Sequence, residues 1–310
     1  SNRGDIYKLY TLKVNVHQQT GNEFAWGNAS AVGADTLGAR RFVQLGSDQW
    51  LFCQGTAETI GYRLTGGTWQ KASVIADRNA YKNMVALNGY LYTFTGGLVR
   101  RSADGMTWSN LDTPNNLKQL IGTSGDRIYA LTIGGLAHTT NGTDWTNDEL
   151  DSNADSLPAT DINLAALPSK VNANTNNLTL IGNRNGKTVV WTRVEENGTN
   201  DNNAWALLPY DTYNQKTLPH LAALQVVAYD GALLATGGDM SHFYKSLDHG
   251  LTWSAIDFYA LPLGQATDTP FALFADSDNV LRYSQARQAT VLSGRLARLG
   301  WKQNQTAFTE

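Results

Sequence analysis

A short polar turn that ends in tryptophan recurs along the chain. Ser102-Ala103-Asp104-Gly105-Met106-Thr107-Trp108 is followed by Thr139-Thr140-Asn141-Gly142-Thr143-Asp144-Trp145 and, one residue longer, by Ser246-Leu247-Asp248-His249-Gly250-Leu251-Thr252-Trp253. A worn copy is Leu64-Thr65-Gly66-Gly67-Thr68-Trp69. Short side chains such as Ser102, Asp104, Asn141, Ser246, Asp248 and Thr252 can bond backbone N–H groups within a turn. Gly105, Gly142 and Gly250 tolerate a positive φ that would strain other residues. Trp108, Trp145 and Trp253 then carry large apolar area into the gap between neighbouring units. From Trp69 to Trp145 the interval is about 40 residues per repeat, the length of one propeller blade.

The repetition extends upstream. Tyr92-Thr93-Phe94-Thr95-Gly96-Gly97-Leu98 matches Tyr129-Ala130-Leu131-Thr132-Ile133-Gly134-Gly135-Leu136, with a third copy in Leu234-Ala235-Thr236-Gly237-Gly238-Asp239. Before these lie Asn88-Gly89, Gly125-Asp126 and Asp230-Gly231 between apolar runs, which are hairpin signals. Each unit therefore reads strand, tight turn, strand, glycine turn, strand, polar turn, short strand with Trp. The pattern predicts an all-β chain: a β-propeller of four-stranded antiparallel blades. Blades are expected at about 31–72, 79–112, 117–150, 160–209, 220–262 and 270–303, giving six, with seven as the alternative. The fourth is irregular: its polar turn from Glu195 to Ala204 is an insertion, and Trp205 takes the tryptophan position. A strand at 5–17 and Glu23-Phe24-Ala25-Trp26 lack blade partners of their own, whereas the last blade lacks a final strand. Residues 1–30 are thus expected to complete the last blade, and 31–310 to form the repeats.

At this level the chain resembles the Asp-box (BNR-type) propellers, which include sialidases, sortilin-like receptors and many bacterial surface proteins. The end Val291-Leu292-Ser293-Gly294-Arg295-Leu296-Ala297-Arg298-Leu299-Gly300-Trp301 and the opening Tyr10-Thr11-Leu12-Lys13-Val14-Asn15-Val16-His17 are similar to a domain-of-unknown-function family of gut-bacterial surface lipoproteins. That resemblance implies an extracellular or cell-surface location and an additional N-terminal domain. The start, Ser1-Asn2-Arg3-Gly4, reads as a trimmed or mature form.

Composition narrows the function. Net charge is −3, without runs of like charge, so nucleic acid is not an expected partner. No window is long and apolar enough for a membrane-spanning helix. The single Cys53 lies in a strand-like apolar setting and reads as a buried small residue. His17, His138, His220, His242 and His249 show none of the spacings zinc prefers, and no calcium loop occurs, so neither metal nor cofactor is expected. The Gly-Gly pairs lack the Gly-Lys-Ser/Thr of a phosphate loop.

A sialidase reading fails on motif: the Arg-Ile-Pro-like signature is missing, Arg40-Arg41-Phe42-Val43 departs from it, and nothing brings Arg78, Arg184 and Arg282 together. A glycosidase needs two facing carboxylates. Glu58, Asp161, Asp239 and Asp268 are candidates, although turn capping explains them as well. No catalytic set is assigned, and the reading leans away from an enzyme. By blade register, Glu58, Arg78, Tyr81, Lys82, Arg184, His220, Asp239 and His242 fall on the loop face opposite the polar turns. Aromatic and hydrogen-bonding groups there suit a glycan or a protein ligand. The expectation is a non-catalytic binding or adhesion propeller; the alternatives are a diverged glycoside hydrolase and a structural spacer.

Overall fold

Apolar alternation broken by tight turns leaves the chain little choice but to pair neighbouring strands. The computed structural model describes residues 11, 22–33, 38–199, 201, 203–209, 216–237, 242–261 and 269–298. Strands β1 (Asn22–Trp26) and β2 (Ser30–Ala31) come first. The first full sheet is β3 (Arg40–Leu45), β4 (Asp48–Gln54), β5 (Thr59–Thr65) and β6 (Thr68–Ile75). The second is β7 (Val85–Leu87), β8 (Tyr90–Thr95), β9 (Leu98–Ser102) and β10 (Ser109–Asn110). The third is β11 (Leu117–Ser124), β12 (Arg127–Thr132), β13 (Leu136–Thr139) and β14 (Thr146–Asn147). The fourth is β15 (Thr160–Pro168), β16 (Thr175–Arg184), β17 (Lys187–Glu196) and β18 (Ala206–Leu207). The fifth is β19 (Gln225–Tyr229), β20 (Ala232–Thr236), β21 (Phe243–Ser246) and β22 (Ser254–Ile256). The last is β23 (Phe271–Ala275), β24 (Val280–Gln285) and β25 (Thr290–Arg298), with β1 at its outer edge and β2 also on β25. Short 3-10 turns occupy Ala80–Asn83 and Ala154–Ser156.

All strand pairings within the sheets are antiparallel. The innermost strands β3, β7, β11, β15, β19 and β23 each touch the next, and β23 returns to β3. The chain is a six-bladed propeller, as the repeats predict, and not a seven-bladed one. Its core consists of layers between blades. Phe42, Trp69, Ala272 and Val291 pack the last blade on the first, and Val43, Trp50, Tyr81 and Leu91 pack the first on the second. Polar side chains reach across to the inner strands. Asn83 Oδ1 accepts from the Leu120 N–H at 3.1 Å, and Asn163 Oδ1 accepts from the Val226 N–H at 3.1 Å. Buried backbone groups facing the channel are thus satisfied without another strand.

The polar turns are built alike. The Ser102 hydroxyl accepts from Gly105 N–H (2.9 Å), and Asp104 Oδ1 accepts from the N–H groups of Met106 and Thr107 (2.8 Å each). Those N–H groups and the Ser102 hydroxyl hold the Asp104 carboxyl down to about 2. Thr139 and Asn141 do the same for Gly142, Thr143 and Asp144, and Ser246 and Asp248 for Gly250 and Thr252. Each indole N–H closes its turn: Trp108 to Gly105 O, Trp145 to Gly142 O, Trp253 to Gly250 O. The glycine also presses on the preceding blade. A Cβ on Gly105, at φ +75°, would lie 2.5 Å from the Trp50 ring, and one on Gly142 would lie 2.8 Å from Tyr92.

Two sequence expectations need correction. Ser30–Ala31 pairs with the last blade, so the first blade begins at Arg40. The worn copy is a plain hairpin in which Gly66 and Gly67 link the Thr65↔Thr68 pair, because no Ser/Asp pair is present to hold a wider turn. Closure itself follows the expectation: Asn22 to Trp26 pair with Arg298 to Gly294, and the Trp26 indole donates to Ala260 O at 2.9 Å. The strand expected at 5–17 lies outside the described residues, as do Asp239 and Asp268.

In the fourth blade a buried ionic network replaces the polar turn. Asp201, in the insertion, accepts from Arg127 (2.8 Å) and Arg193 (2.6 Å), and Arg193 also reaches Asp148 (2.6 Å). His138 and the Trp205 indole bond the same Asp148 carboxylate. The Arg193, Asp148 and Asp201 side chains are at most 4% exposed. Burial opposes ionisation of Asp148, but His138, Arg193 and Trp205 outweigh it and lower its pKa; Asp201 is lowered against burial by Arg193, the Glu196 N–H and Arg127.

These contacts set the cost of altering the turns and the network. Gly89 and Gly105 both have positive φ, but a Cβ on Gly89 meets nothing within 4 Å. In urea melts Gly89→Ala should cost about 1 kcal/mol and Gly105→Ala about 3 kcal/mol or more; equal losses would show that the approach to Trp50 is not tight. Asp201→Ala leaves two buried guanidinium groups short of a partner and should cost about 3–5 kcal/mol at pH 7. Because folded Asp148 and Asp201 sit below the ordinary 3.8, the stability they contribute is full above that pH and fades as pH falls through their lowered values. The acid-induced loss between about pH 5 and pH 2 should therefore be smaller in the variant than in the native chain.

Candidate functional site

Strand direction fixes which residues meet at each end of the ring. The polar turns and first hairpin turns of the blades lie at one end, the lower face. The second hairpin turns and the connections from blade to blade lie at the other, the upper face. Glu58 stands in the β4–β5 turn, Arg78, Tyr81 and Lys82 in the connection from β6 to β7, and Arg184 at the end of β16. His220 lies in the connection before β19, and His242 immediately before β21. The described members of the predicted set therefore share this face, spread over several blades.

Their environments differ. Tyr81 is 8% exposed and packs with Val43, Met84 and Leu91, and its N–H donates to Thr59 Oγ1 at 3.2 Å. It anchors the loop and has no free ring face to offer a ligand, contrary to the role expected from sequence. The Arg184 guanidinium donates to Leu157 O, holding two connections together. His242 Nδ1 pairs with Asp257 at 2.9 Å on the open surface. Glu58 folds back toward the Ala57 N–H (3.3 Å). Nearby, Asp77 is held below the usual carboxylate range by the Thr95 hydroxyl and the Asn79 N–H. Arg78, Lys82 and His220 are exposed and join no ion pair among the described residues.

A residue not singled out as a ligand contact stands at the centre of this end. Arg41, the second residue of β3, donates to Lys82 O at 2.8 Å and to Ile121 O of β11 at 3.0 Å. Its side chain thus reaches from the first blade to the third inside the ring. It is half-buried by area, yet protein surrounds it, as for a group lining an internal channel. Removal from water lowers its pKa to about 10, and no carboxylate among the described residues acts against that. Lys118, exposed at the start of β11, adds charge to the same sector. The sequence signal was available: an arginine occupies an inner-strand position beside apolar Phe42 and Val43, where the channel is its surrounding.

A cavity of about 530 Å³ opens away from this mouth, on the flank of the third blade. The connection Asp112–Asn116 forms one wall and the segment Thr143–Asn147, with Trp145, the other. Trp145 was read from sequence as structural only.

No group of three His, Cys, Asp or Glu able to hold a metal occurs among the described residues. Cys53 is buried, and its thiol is pushed up to about 12, which keeps it protonated and inert. Among the described residues no helix is long and apolar enough to cross a membrane.

Residues 20–304 match the family model of the DUF6242 beta propeller domain. No curated protein matches the sequence. In three dimensions the chain is similar to an oxidoreductase described as a glucose dehydrogenase from Thermus thermophilus, at 13% identity and a TM-score of 0.53, over 87% of this chain and 100% of that one. It is also similar to a Carbohydrate-Active Enzymes family AA12 protein from Trichoderma reesei (10% identity, TM-score 0.50, 93% and 100% covered). A third is the PQQ-bound aldose sugar dehydrogenase from Streptomyces coelicolor (10% identity, TM-score 0.50, 89% and 98% covered). At such identities the likeness shows the propeller fold alone.

The different settings of the mouth residues separate anchors from free groups. Tyr81→Ala should lower stability by about 3–5 kcal/mol, whereas Arg78→Ala and Lys82→Ala should each stay within about 0.5 kcal/mol. Denaturant midpoints of the three variants check this.

Proposed function

Because the chain belongs to the DUF6242 β-propeller family, we propose a role that needs only the ring and its upper mouth: a non-catalytic binding propeller, working outside the cell, that takes an acidic glycan. The observation that carries this reading is Arg41. A guanidinium drawn out of water without a carboxylate is costly unless something compensates it. Two carbonyl oxygens stabilise it in part, and an anion entering the channel would complete its shell. Arginine suits a carboxylate because its planar fork can donate two parallel bonds. Arg78, Lys82 and Lys118 would draw such a ligand toward the mouth. The hydrogen bonding of the polar turns supports kinship with the Asp-box propellers.

The test is a binding array of neutral, uronate-bearing and sialylated glycans, run with the native chain and with an Arg78→Ala/Lys82→Ala double variant. Acidic glycans should bind selectively, at least about tenfold more weakly to the double variant, and more weakly again when salt is raised, since exposed charges are screened. Binding that disregards ligand charge, or no binding to any acidic glycan, would overturn the reading.

A further inference from the structure

The flank cavity of the third blade has the chemistry of a second site, distinct from the mouth. Its position follows from the local sequence. Strand β14 (Thr146–Asn147) forms the outer edge of this blade, and the cavity lies between it and the connection from the second blade. Trp145 is fixed in orientation. Its indole N–H is committed to Gly142 O at 3.2 Å, and part of the ring packs on the apolar layer containing Val85, Tyr92 and Leu117. The remainder lines the cavity. The corresponding Trp253, Trp205 and Trp69 are no more than 6% exposed and have no ring surface to offer, whereas Trp108 is half-buried like Trp145 but does not line this cavity.

The rim is polar and contains no lysine, arginine or histidine. Thr113 is occupied, donating to Leu111 O and accepting from the Val99 N–H. Asp144 Oδ2 is held by Asn141 at 2.6 Å. The side chains of Asp112, Asn116 and Asn147 have no hydrogen-bond partner among the described residues. The site thus combines a rigid indole surface with two amides that both donate and accept, and with carboxylates that accept only. A volume near 530 Å³ lies in the usual range for pockets of small ligands, about 300–1,000 Å³.

We propose that this groove binds a neutral oligosaccharide, one sugar ring lying against Trp145 and its hydroxyl groups bonded by Asn116, Asn147 and Asp112. A pyranose supplies what the walls lack: an apolar C–H face for the indole and hydroxyl donors for the carboxylates. The two aspartates repel an anionic ligand, which separates this groove from the mouth around Arg41. The inference does not depend on the role assigned to that mouth.

Calorimetric titration with a panel of neutral trisaccharides, a uronate trisaccharide and a trilysine peptide tests it. At least one neutral trisaccharide should bind. Its affinity should fall at least about tenfold in Asn116→Ala/Asn147→Ala, whose surface substitutions keep the fold, and remain unchanged in Arg78→Ala/Lys82→Ala. Trp145→Phe, which keeps an aromatic surface, should retain more affinity than Trp145→Ala, with thermal melts confirming that both are folded. The proposal is overturned if no neutral trisaccharide binds, if the amide variant binds as well as the native chain, or if trilysine alone binds, since that would mark the groove as a cation site.

Discussion

Everything else in the ring depends on one strand supplied from far away in sequence. Without β1 the last blade would end at β25, and its outer edge would be a row of unpaired backbone groups open to any other chain. The pairing of Asn22 to Trp26 with Arg298 to Gly294 ties the two ends of the described chain together. Side chains fix its register. Phe24 sits edge-on to Trp26, Tyr229 and Tyr259, and a Cβ at Gly294 would come within 2.4 Å of its ring. Glycine at 294 therefore admits the aromatic residue that binds β1 to the fifth and last blades together. A slip of one residue would turn Phe24 away from that layer, so closure and register are one event.

Between blades the same device appears in smaller form. The polar turn sets the strand crossing and also brings a backbone Cα against the blade before it. Gly105 meets Trp50, and Gly142 meets Tyr92 and Leu111. The conformational freedom of glycine and its lack of a side chain are both used, the first to close the turn and the second to let the sheets approach. A Ser or Thr hydroxyl and an Asp or Asn oxygen satisfy the N–H groups that this tight path would otherwise leave unpaired.

This explains what could be read from sequence. Three polar turns with the same chemistry gave the blade length, and from it the strand order, the ring and the closing strand. Where the chemistry was replaced, the reading blurred. The first blade has no such turn because Gly66-Gly67 makes a simple hairpin. In the fourth blade Asp148 is far in sequence from Arg193 and Asp201, and the three do not resemble a turn motif, although together they hold the insertion. The site was less legible for a related reason. Blade register puts Arg78, Lys82 and Arg184 on one face, but register says nothing of burial. Tyr81 was thus given a surface role that its packing denies. Arg41 went unnoticed as a contact because the channel exists only once all the blades have closed.

The two ways the molecule treats buried positive charge show where function is to be sought. At the interface of the third and fourth blades, Arg127 and Arg193 are matched by Asp201 and Asp148, and hydrogen bonds from His138 and Trp205 complete the set. In that network each carboxylate is in use, and removing a member harms the fold. Arg41 has two carbonyl oxygens and, among the described residues, no carboxylate. Arg40 beside it is more deeply buried and donates to Gly38 O, the Ser284 hydroxyl and Gln288 O, tying the last blade to the first, so neutral oxygens also serve a structural arginine; Arg41 differs in its place inside the ring. Under the proposed function, that place is where an anion from outside would add the charge partner that Arg41 lacks among the described residues.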